Sequence, residues 1–171
     1  MEVVIYPDPA LRRGGEEVKE FGESLRTLAA GMLEAMYAQG GVGLAAPQVA
    51  VPKKLLVLNP KGSKEDRTGE MVLVNPRIRR RKGYEWGDEG CLSFPGIQAE
   101  VERSQKITVE YRDLSGEPVE LRAEGWLARI VQHEMDHLEG VLFVDRLTAA
   151  DKIRVRPQLE EMERRYRARV G

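Results

Sequence analysis

The chain has 171 residues, with 27 Lys and Arg against 28 Asp and Glu and a formal net charge of −1. This length suits one domain of residues 1–171, which can bury a stable core without covalent cross-links. A single cysteine excludes a secreted protein that is stabilised by internal disulfide bonds. The balanced charge argues against general polyanion binding. The sequence has neither a basic signal-peptide start nor an apolar run near the roughly 18 residues of a membrane span, so we expect a cytoplasmic protein without membrane contact.

The first half of the chain predicts one amphipathic helix followed by two short strands. Apolar residues recur every three or four positions across residues 22–39, and Gly40 provides a stop signal after them. The small apolar residues 41–48 fit neither the helical nor the strand period. The runs 54–59 and 71–75 are apolar and end where Asn-Pro follows, which predicts two short buried strands.

The second half predicts a hairpin and then two helices. Alternation from Gln105 onward, interrupted by a turn at residues 113–116, is typical of a hairpin with one buried face. Helical spacing returns over residues 127–139 and again over about residues 148–170, where Pro157 either kinks or starts the C-terminal helix. This order predicts a mixed α+β fold, with small, mostly antiparallel sheets packed around the first of these two helices.

Both histidines of the chain lie in one helical motif, His133-Glu134-Met135-Asp136-His137. Two residues four apart share a helix face, so both imidazoles can reach one metal ion. Glu134 follows the first of them and can act as general base on the water that such a metal activates. The central helix is therefore predicted to bind a catalytic metal.

A third ligand is needed, because catalytic sites usually hold the ion by three protein groups and leave one position open. No third histidine exists in the chain. The residues leave two alternatives: a glutamate of the last helix, Glu160 or Glu161, or the single cysteine, Cys91. Cys91 lies between Gly90 and Pro95, which predicts a tight turn from which a thiolate can project.

Three segments together resemble the signature motifs of bacterial peptide deformylases. They are Gly41-Val42-Gly43-Leu44-Ala45-Ala46-Pro47-Gln48, Glu89-Gly90-Cys91-Leu92-Ser93 and Gln132-His133-Glu134-Met135-Asp136-His137-Leu138-Glu139-Gly140, in the order and spacing of that family. The resemblance extends over essentially the whole chain. It implies an enzyme that removes the formyl group from the N-terminal formylmethionine of newly synthesised polypeptides.

The resemblance also implies the metal site. It makes Cys91, His133 and His137 the ligands of one divalent ion. Fe2+ is the expected metal, with Zn2+, Ni2+ and Co2+ as alternatives. This donor set suits several first-row metals, and affinity order alone would not select iron.

Catalytic roles follow from the same resemblance. Glu134 takes a proton from the attacking water and passes it to the leaving amine. Gln48 and the backbone N–H of Leu92 stabilise the charge that develops on the formyl oxygen. Gly43 lets the backbone approach the substrate closely.

An apolar pocket for the methionine side chain is expected from the first motif, the strand before the cysteine and the ligand helix. The predicted substrate-binding residues are Val42, Gly43, Glu89, Gly90, Trp126 and Ile130. Arg129 stands where relatives often carry an aliphatic residue, so the chain departs from the family pattern there.

The expected partners are formylmethionyl nascent peptides, with the ribosome near the exit of the nascent chain as a second candidate. The arginines of the last helix either form a solvated face or bind RNA phosphates, since in related bacterial enzymes this helix docks on the ribosome. They are Arg164, Arg165, Arg167 and Arg169. Two other functions compete: a zinc peptidase with a distant glutamate as third ligand, and a non-catalytic, metal-stabilised module that binds ribosomes.

Overall fold

The chain folds into four α-helices and seven strands, and the computed structural model describes every residue from 1 to 171. The helices are α1 (Ala10–Arg13), α2 (Glu23–Ala38), α3 (Gly125–Leu138) and α4 (Ala149–Val170). The strands are β1 (Gly43–Ala45), β2 (Leu55–Leu58), β3 (Met71–Lys82), β4 (Glu85–Cys91), β5 (Phe94–Arg103), β6 (Lys106–Arg112) and β7 (Pro118–Glu124). Two 3₁₀ turns, Ala46–Val49 and Phe143–Arg146, follow β1 and α3. The predicted α+β class is confirmed.

A five-stranded antiparallel sheet forms the centre of the fold, in the order β1-β2-β3-β6-β7. Successive side chains of a strand point to opposite faces. In β2, Leu55 and Val57 pack in the core that contains α2, while Leu56 and Leu58 pack in the core that contains α3. The unbroken apolar run of this strand therefore reflects a sheet that is covered by a helix on each side.

β3 continues past Asn75, so the prediction that this strand ends at Asn-Pro is wrong. Asn75 and Pro76 lie in a β-bulge, where the ladder between β3 and β6 shifts register between Val74 and Arg77. Asn75 has a φ of 52°, in the left-handed region, and its side chain bonds both backbone groups of Val18. A proline within a sheet is tolerated at such a bulge.

A separate two-stranded hairpin, β4 and β5, carries Cys91 at its turn. Cys91 pairs with Phe94 across that turn, so the predicted tight turn is confirmed. The inward side chains of β5 enter a third core, which also contains the 3₁₀ turn Phe143–Arg146 and the start of α4. The strands themselves are not predicted from sequence, because β4 is charged and rich in glycine.

Most of α3 is buried, and this position determines where the site lies. Its buried apolar residues pack on the sheet, and they are Ala128, Ile130, Val131 and Leu138. Its other buried residues are polar, and most of them face the β4–β5 hairpin and the site described below. They are Arg129, Gln132, His133, Glu134 and His137. The helix with the histidines is thus held between the sheet and the hairpin with the cysteine.

The C-terminal helix begins as predicted, since Thr148 Oγ1 accepts a hydrogen bond from the Asp151 N–H at 3.1 Å. Pro157 lies inside α4 and does not start it. Val155 is fully buried in the core that contains β5, which packs α4 against the hairpin. None of the helices is both long enough and apolar enough to cross a membrane.

Candidate active site

Three candidate metal ligands converge between α3 and the turn of the β4–β5 hairpin. Cys91 ends β4, whereas His133 and His137 lie one turn apart on α3. Donor atoms of the three residues all lie within 4.8 Å of one another, and Cys91 Sγ is 3.4 Å from His137 Nε2. A thiolate and an imidazole nitrogen bound tetrahedrally to one ion stand about 3.6 Å apart. The spacing therefore fits a single metal ion.

The charge around these ligands favours a cation. Burial lowers the pKa of His137 well below its ordinary value, which keeps this imidazole neutral, as a metal ligand must be. Burial also acts to lower the pKa of His133, but neighbouring acidic groups, Glu134 above all, outweigh it and raise that pKa. The acidic groups that favour a proton on His133 would also favour a metal ion bound to this ring. The donor set thus fits a divalent cation.

Glu89 supports the first histidine from behind. Its Oε1 lies 2.8 Å from His133 Nδ1 and 2.8 Å from Arg103 Nη2. Burial acts to raise the pKa of Glu89, but hydrogen bonds from Arg103 and His133 prevail and lower it to about 2. The ionised carboxylate accepts from the Nδ1–H, which leaves Nε2 of the same ring available to a metal. The predicted substrate residue Glu89 therefore lies behind the ligands and not on the wall of the cleft described below.

Glu134 lies next to the ligands with its carboxyl group buried. The residue is 5% exposed, and its Oε1 has no hydrogen-bond partner. Burial raises the pKa of Glu134 to about 7, against the opposing effect of His133. A buried carboxyl that ionises near neutral pH can both accept and return a proton.

Gln48 is brought to the ligands by the 3₁₀ turn Ala46–Val49. Its Oε1 accepts from the Ala45 N–H at 2.9 Å, and its Nε2 lies 3.4 Å from Cys91 Sγ and 3.2 Å from Ser93 Oγ. The amide is therefore anchored at its oxygen, and its nitrogen lies beside the cysteine. Leu92, the other predicted stabilising residue, follows Cys91 in the turn.

The site opens into a cleft of about 750 Å³. Seven of its wall residues were predicted as catalytic or substrate-binding residues, which are Val42, Gly43, Gln48, Gly90, Leu92, Trp126 and Glu134. The predicted substrate residue Ile130 lies elsewhere: it is 3% exposed and packs in the core between α3 and the sheet.

The far wall of the cleft comes from residues that the sequence does not predict. It includes Gln98 of β5 and two residues of α4, Arg154 and Gln158. Arg154 Nη2 donates to the Gln98 carbonyl at 3.0 Å, and Gln158 Nε2 donates to the Gly96 carbonyl at 3.3 Å. No motif marks these positions, because they reach the cleft only through the packing of α4 on the hairpin.

Gly43 has no room for a side chain. A Cβ at this position would lie 2.7 Å from Glu134 Oε2 and 2.9 Å from Glu134 Cγ. We expect Gly43→Ala to displace the carboxylate and to lower kcat by about 100-fold, the usual cost of a misplacement near 1 Å. Metal content should stay unchanged. Steady-state kinetics and metal analysis check this, with Gly22→Ala as control, since a Cβ at Gly22 meets nothing within 4 Å. Wild-type kcat in Gly43→Ala would contradict it.

The fold and the site indicate a class of protein. Three candidate metal ligands with a buried carboxyl beside them are the groups with which single-metal hydrolases activate water when the ion is bound. The chain thus has the construction of a metal-dependent hydrolase.

Comparison with known proteins identifies the family within this class. A family sequence model described as polypeptide deformylase matches residues 1–153, and the chain belongs to the peptide deformylase family of hydrolases. A peptide deformylase of Acidobacterium capsulatum is 44% identical over 162 residues, which cover 95% of each chain. The chloroplastic/mitochondrial peptide deformylase 1B of Arabidopsis thaliana is 44% identical over 172 residues, which cover all of this chain and 63% of the plant protein. A crystal structure of a Plasmodium falciparum peptide deformylase is similar with a TM-score of 0.95 and 42% identity, covering 98% of each chain.

Proposed function

We propose that this chain removes the N-formyl group from the formylmethionine of newly synthesised polypeptides and releases formate. The convergence of Cys91, His133 and His137 beside the unpaired carboxyl of Glu134 carries the proposal. These three residues would hold one divalent ion, which when bound would polarise the formyl carbonyl and acidify water. Family membership supports the substrate class, and a cleft of about 750 Å³ has room for the first residues of a peptide.

Glu134 moves the proton in the proposed reaction. Its carboxylate accepts a proton from the water that attacks the formyl carbon. The same group then donates the proton to the amine as the C–N bond breaks. A pKa of about 7 suits both transfers, because the carboxyl gains and loses a proton readily at neutral pH.

Gln48 and Leu92 are proposed to stabilise the negative charge on the formyl oxygen. The Gln48 amide is already fixed by the Ala45 N–H, with its Nε2 beside Cys91 Sγ, so donation costs little reorganisation. The backbone N–H of Leu92, in the turn after Cys91, would supply a second donor.

Substrate contact is proposed for the predicted residues that line the cleft. They are Val42, Gly43, Gly90 and Trp126. Trp126 is half exposed, and its indole nitrogen donates to the Pro60 carbonyl at 3.3 Å, which holds the ring at the rim. Ile130 and Glu89 are proposed to act from behind, by packing α3 and by orienting His133.

We propose Fe2+ as the bound ion, with Zn2+, Ni2+ and Co2+ able to take the same position. One thiolate and two imidazoles suit all four metals, and affinity order would favour the later ones over iron. Supply of the metal in the cell, and not the ligand set, would then select iron.

The peptidase alternative is less well supported. Glu160 is exposed on α4, and Glu161 pairs with Arg164 and Arg165 of the same helix. Cys91 supplies the third donor atom close to both histidines. A non-catalytic module is also disfavoured, because a buried carboxyl oxygen without a partner is costly and serves no structural purpose.

We also propose that residues 1–171 act as a single domain in the cytoplasm, where formylated chains leave the ribosome. The exposed arginines near the end of α4, Arg167 and Arg169, would suit contact with ribosomal RNA phosphates.

Formate release from formyl-Met-Ala-Ser, measured anaerobically with Fe2+-loaded protein, tests the proposed function. We expect formate and free Met-Ala-Ser in equal amounts. A peptidase would instead release Ala-Ser or Ser and leave the formyl group in place, and a non-catalytic module would leave the peptide intact. Either result would refute the proposal.

A further inference from the structure

A buried arginine joins the helix with the histidines to the hairpin with the cysteine. Arg129 lies on α3 one turn before His133, and its side chain is 10% exposed. Its Nη1 donates to the Val101 carbonyl and its Nη2 to the Glu85 carbonyl, each at 2.8 Å. Arg129 therefore ties both strands of the β4–β5 hairpin to α3, and it does not line the cleft.

The same side chain binds the carboxylate that supports the first histidine. Arg129 Nη1 is 2.8 Å from Glu89 Oε2, and Glu89 Oε1 is 2.8 Å from His133 Nδ1. Residues four apart on a helix share a face, so Arg129 and His133 reach one carboxylate from adjacent turns. The three groups form a continuous buried chain of hydrogen bonds, and a low dielectric strengthens each bond in such a chain.

Arg103 also binds Glu89, but it serves a second carboxylate. Its Nε and Nη2 contact the two Glu89 oxygens at 2.8 Å, while its Nη1 lies 2.6 Å from Asp136 Oδ2. Asp136 in turn pairs with the half-exposed Arg146. Arg103 therefore links Glu89 to the outer surface of the protein, whereas Arg129 links Glu89 to the hairpin backbone.

The other histidine has no comparable support. The Nδ1 of His137 is buried and has no hydrogen-bond partner. Carboxylate support of the ligands therefore depends on Glu89 and His133 alone, and on whatever holds Glu89 in place.

We propose that Arg129 is a positioning residue for the metal site. It orients Glu89, which fixes His133, and it holds β4 in the register that presents Cys91. This inference rests on the proposed metal site, and Arg129 acts through other groups without touching substrate or reacting atoms.

Zinc affinity of the Arg129→Met variant, measured by competition with a chelator, tests the proposal. Loss of an outer partner of a ligating histidine typically weakens metal binding 10–100-fold, so we expect a decrease of about tenfold. The ¹⁵N and Nδ1–H ¹H NMR shifts of His133 in the zinc-loaded protein should also report a weaker hydrogen bond to Glu89 than in the wild type. Arg12→Met is the matched control, because Arg12 likewise pairs through two nitrogens with one carboxylate, Asp145, away from the site. It should bind zinc like the wild type.

A double-mutant cycle separates positioning from plain structural support. If Arg129 acts through Glu89, the Arg129→Met substitution should weaken zinc binding less in the Glu89→Gln variant than in the wild type. Fully independent effects, or wild-type zinc affinity in Arg129→Met, would overturn the proposal. If Arg129→Met does not fold, Arg129→Lys replaces it. The single ammonium group of lysine cannot make the several hydrogen bonds of the planar guanidinium group. Unchanged zinc affinity and unchanged His133 shifts in Arg129→Lys would therefore also overturn the proposal.

If Cys91, His133 and His137 do not form a metal site, the zinc-binding experiment gives a different result. In that case wild-type protein would bind zinc no more tightly than Cys91→Ser. Zinc binding that depends on Cys91 but is indifferent to Arg129 would defeat only the role of Arg129.

Discussion

Replacing Cys91 with serine is expected to abolish stable metal binding and, with it, nearly all formate release. Metal ligands must be deprotonated. A cysteine thiol loses its proton when it binds a metal, whereas a serine hydroxyl keeps its proton at neutral pH. The substitution preserves size, so the turn between β4 and β5 should keep its shape. We expect metal affinity to fall by more than about 100-fold, beyond the loss typical of an outer partner.

Thermal unfolding gives a readout that does not depend on activity. A metal that binds only the folded protein stabilises it by about 2.7 kcal/mol when its free concentration is 100 times its Kd. Added zinc should therefore raise the Tm of the wild type and leave that of Cys91→Ser almost unchanged. The Tm values without metal should be similar, because the side chains differ by one atom.

Glu161→Ala is the matched control for Cys91→Ser, since Glu161 is the rival third ligand. Its carboxylate pairs with Arg164 and Arg165 on the surface of α4, so its removal should leave metal content and formate release at wild-type levels. Metal retained by Cys91→Ser and lost by Glu161→Ala would refute the ligand set and revive the peptidase alternative.

Much of the fold could be predicted because its signals are local. The spacing of apolar residues locates α2, the Thr148 cap starts α4, and alternation marks the β6–β7 hairpin. The β4–β5 hairpin escapes prediction because its inward positions include a charged residue. Arg103 takes the place of an apolar residue at the end of β5 and is satisfied by Glu89, a partner 14 residues away.

The convergence of the three candidate ligands could be predicted, but the sides on which their neighbours lie could not. α3 is buried on almost all sides, so periodicity does not show that Ile130 faces the sheet and Arg129 the hairpin. The position of Glu89 follows from strand alternation once β4 is known. Residues two apart in a strand share a face, so Glu89 lies with Cys91 toward α3 while Gly90 lies on the cleft wall.

Glu134→Gln is expected to retain the metal and lose most of the activity. Glutamine has the shape of glutamate but cannot accept the proton of the attacking water. General base catalysis contributes about 10²–10⁴-fold, so kcat for formate release should fall by that factor while KM changes little. Glu160→Gln on the exposed face of α4 makes the same chemical change away from the site and should keep wild-type kcat.

The stability of this variant distinguishes a catalytic carboxyl from a structural one. Oε1 of Glu134 is buried without a partner, so a charge there is costly, and a neutral amide removes that cost. The metal-free Glu134→Gln protein should therefore unfold at a Tm equal to or above that of the metal-free wild type. A lower Tm together with kcat within tenfold of wild type would mean that Glu134 supports the fold and that another group moves the proton.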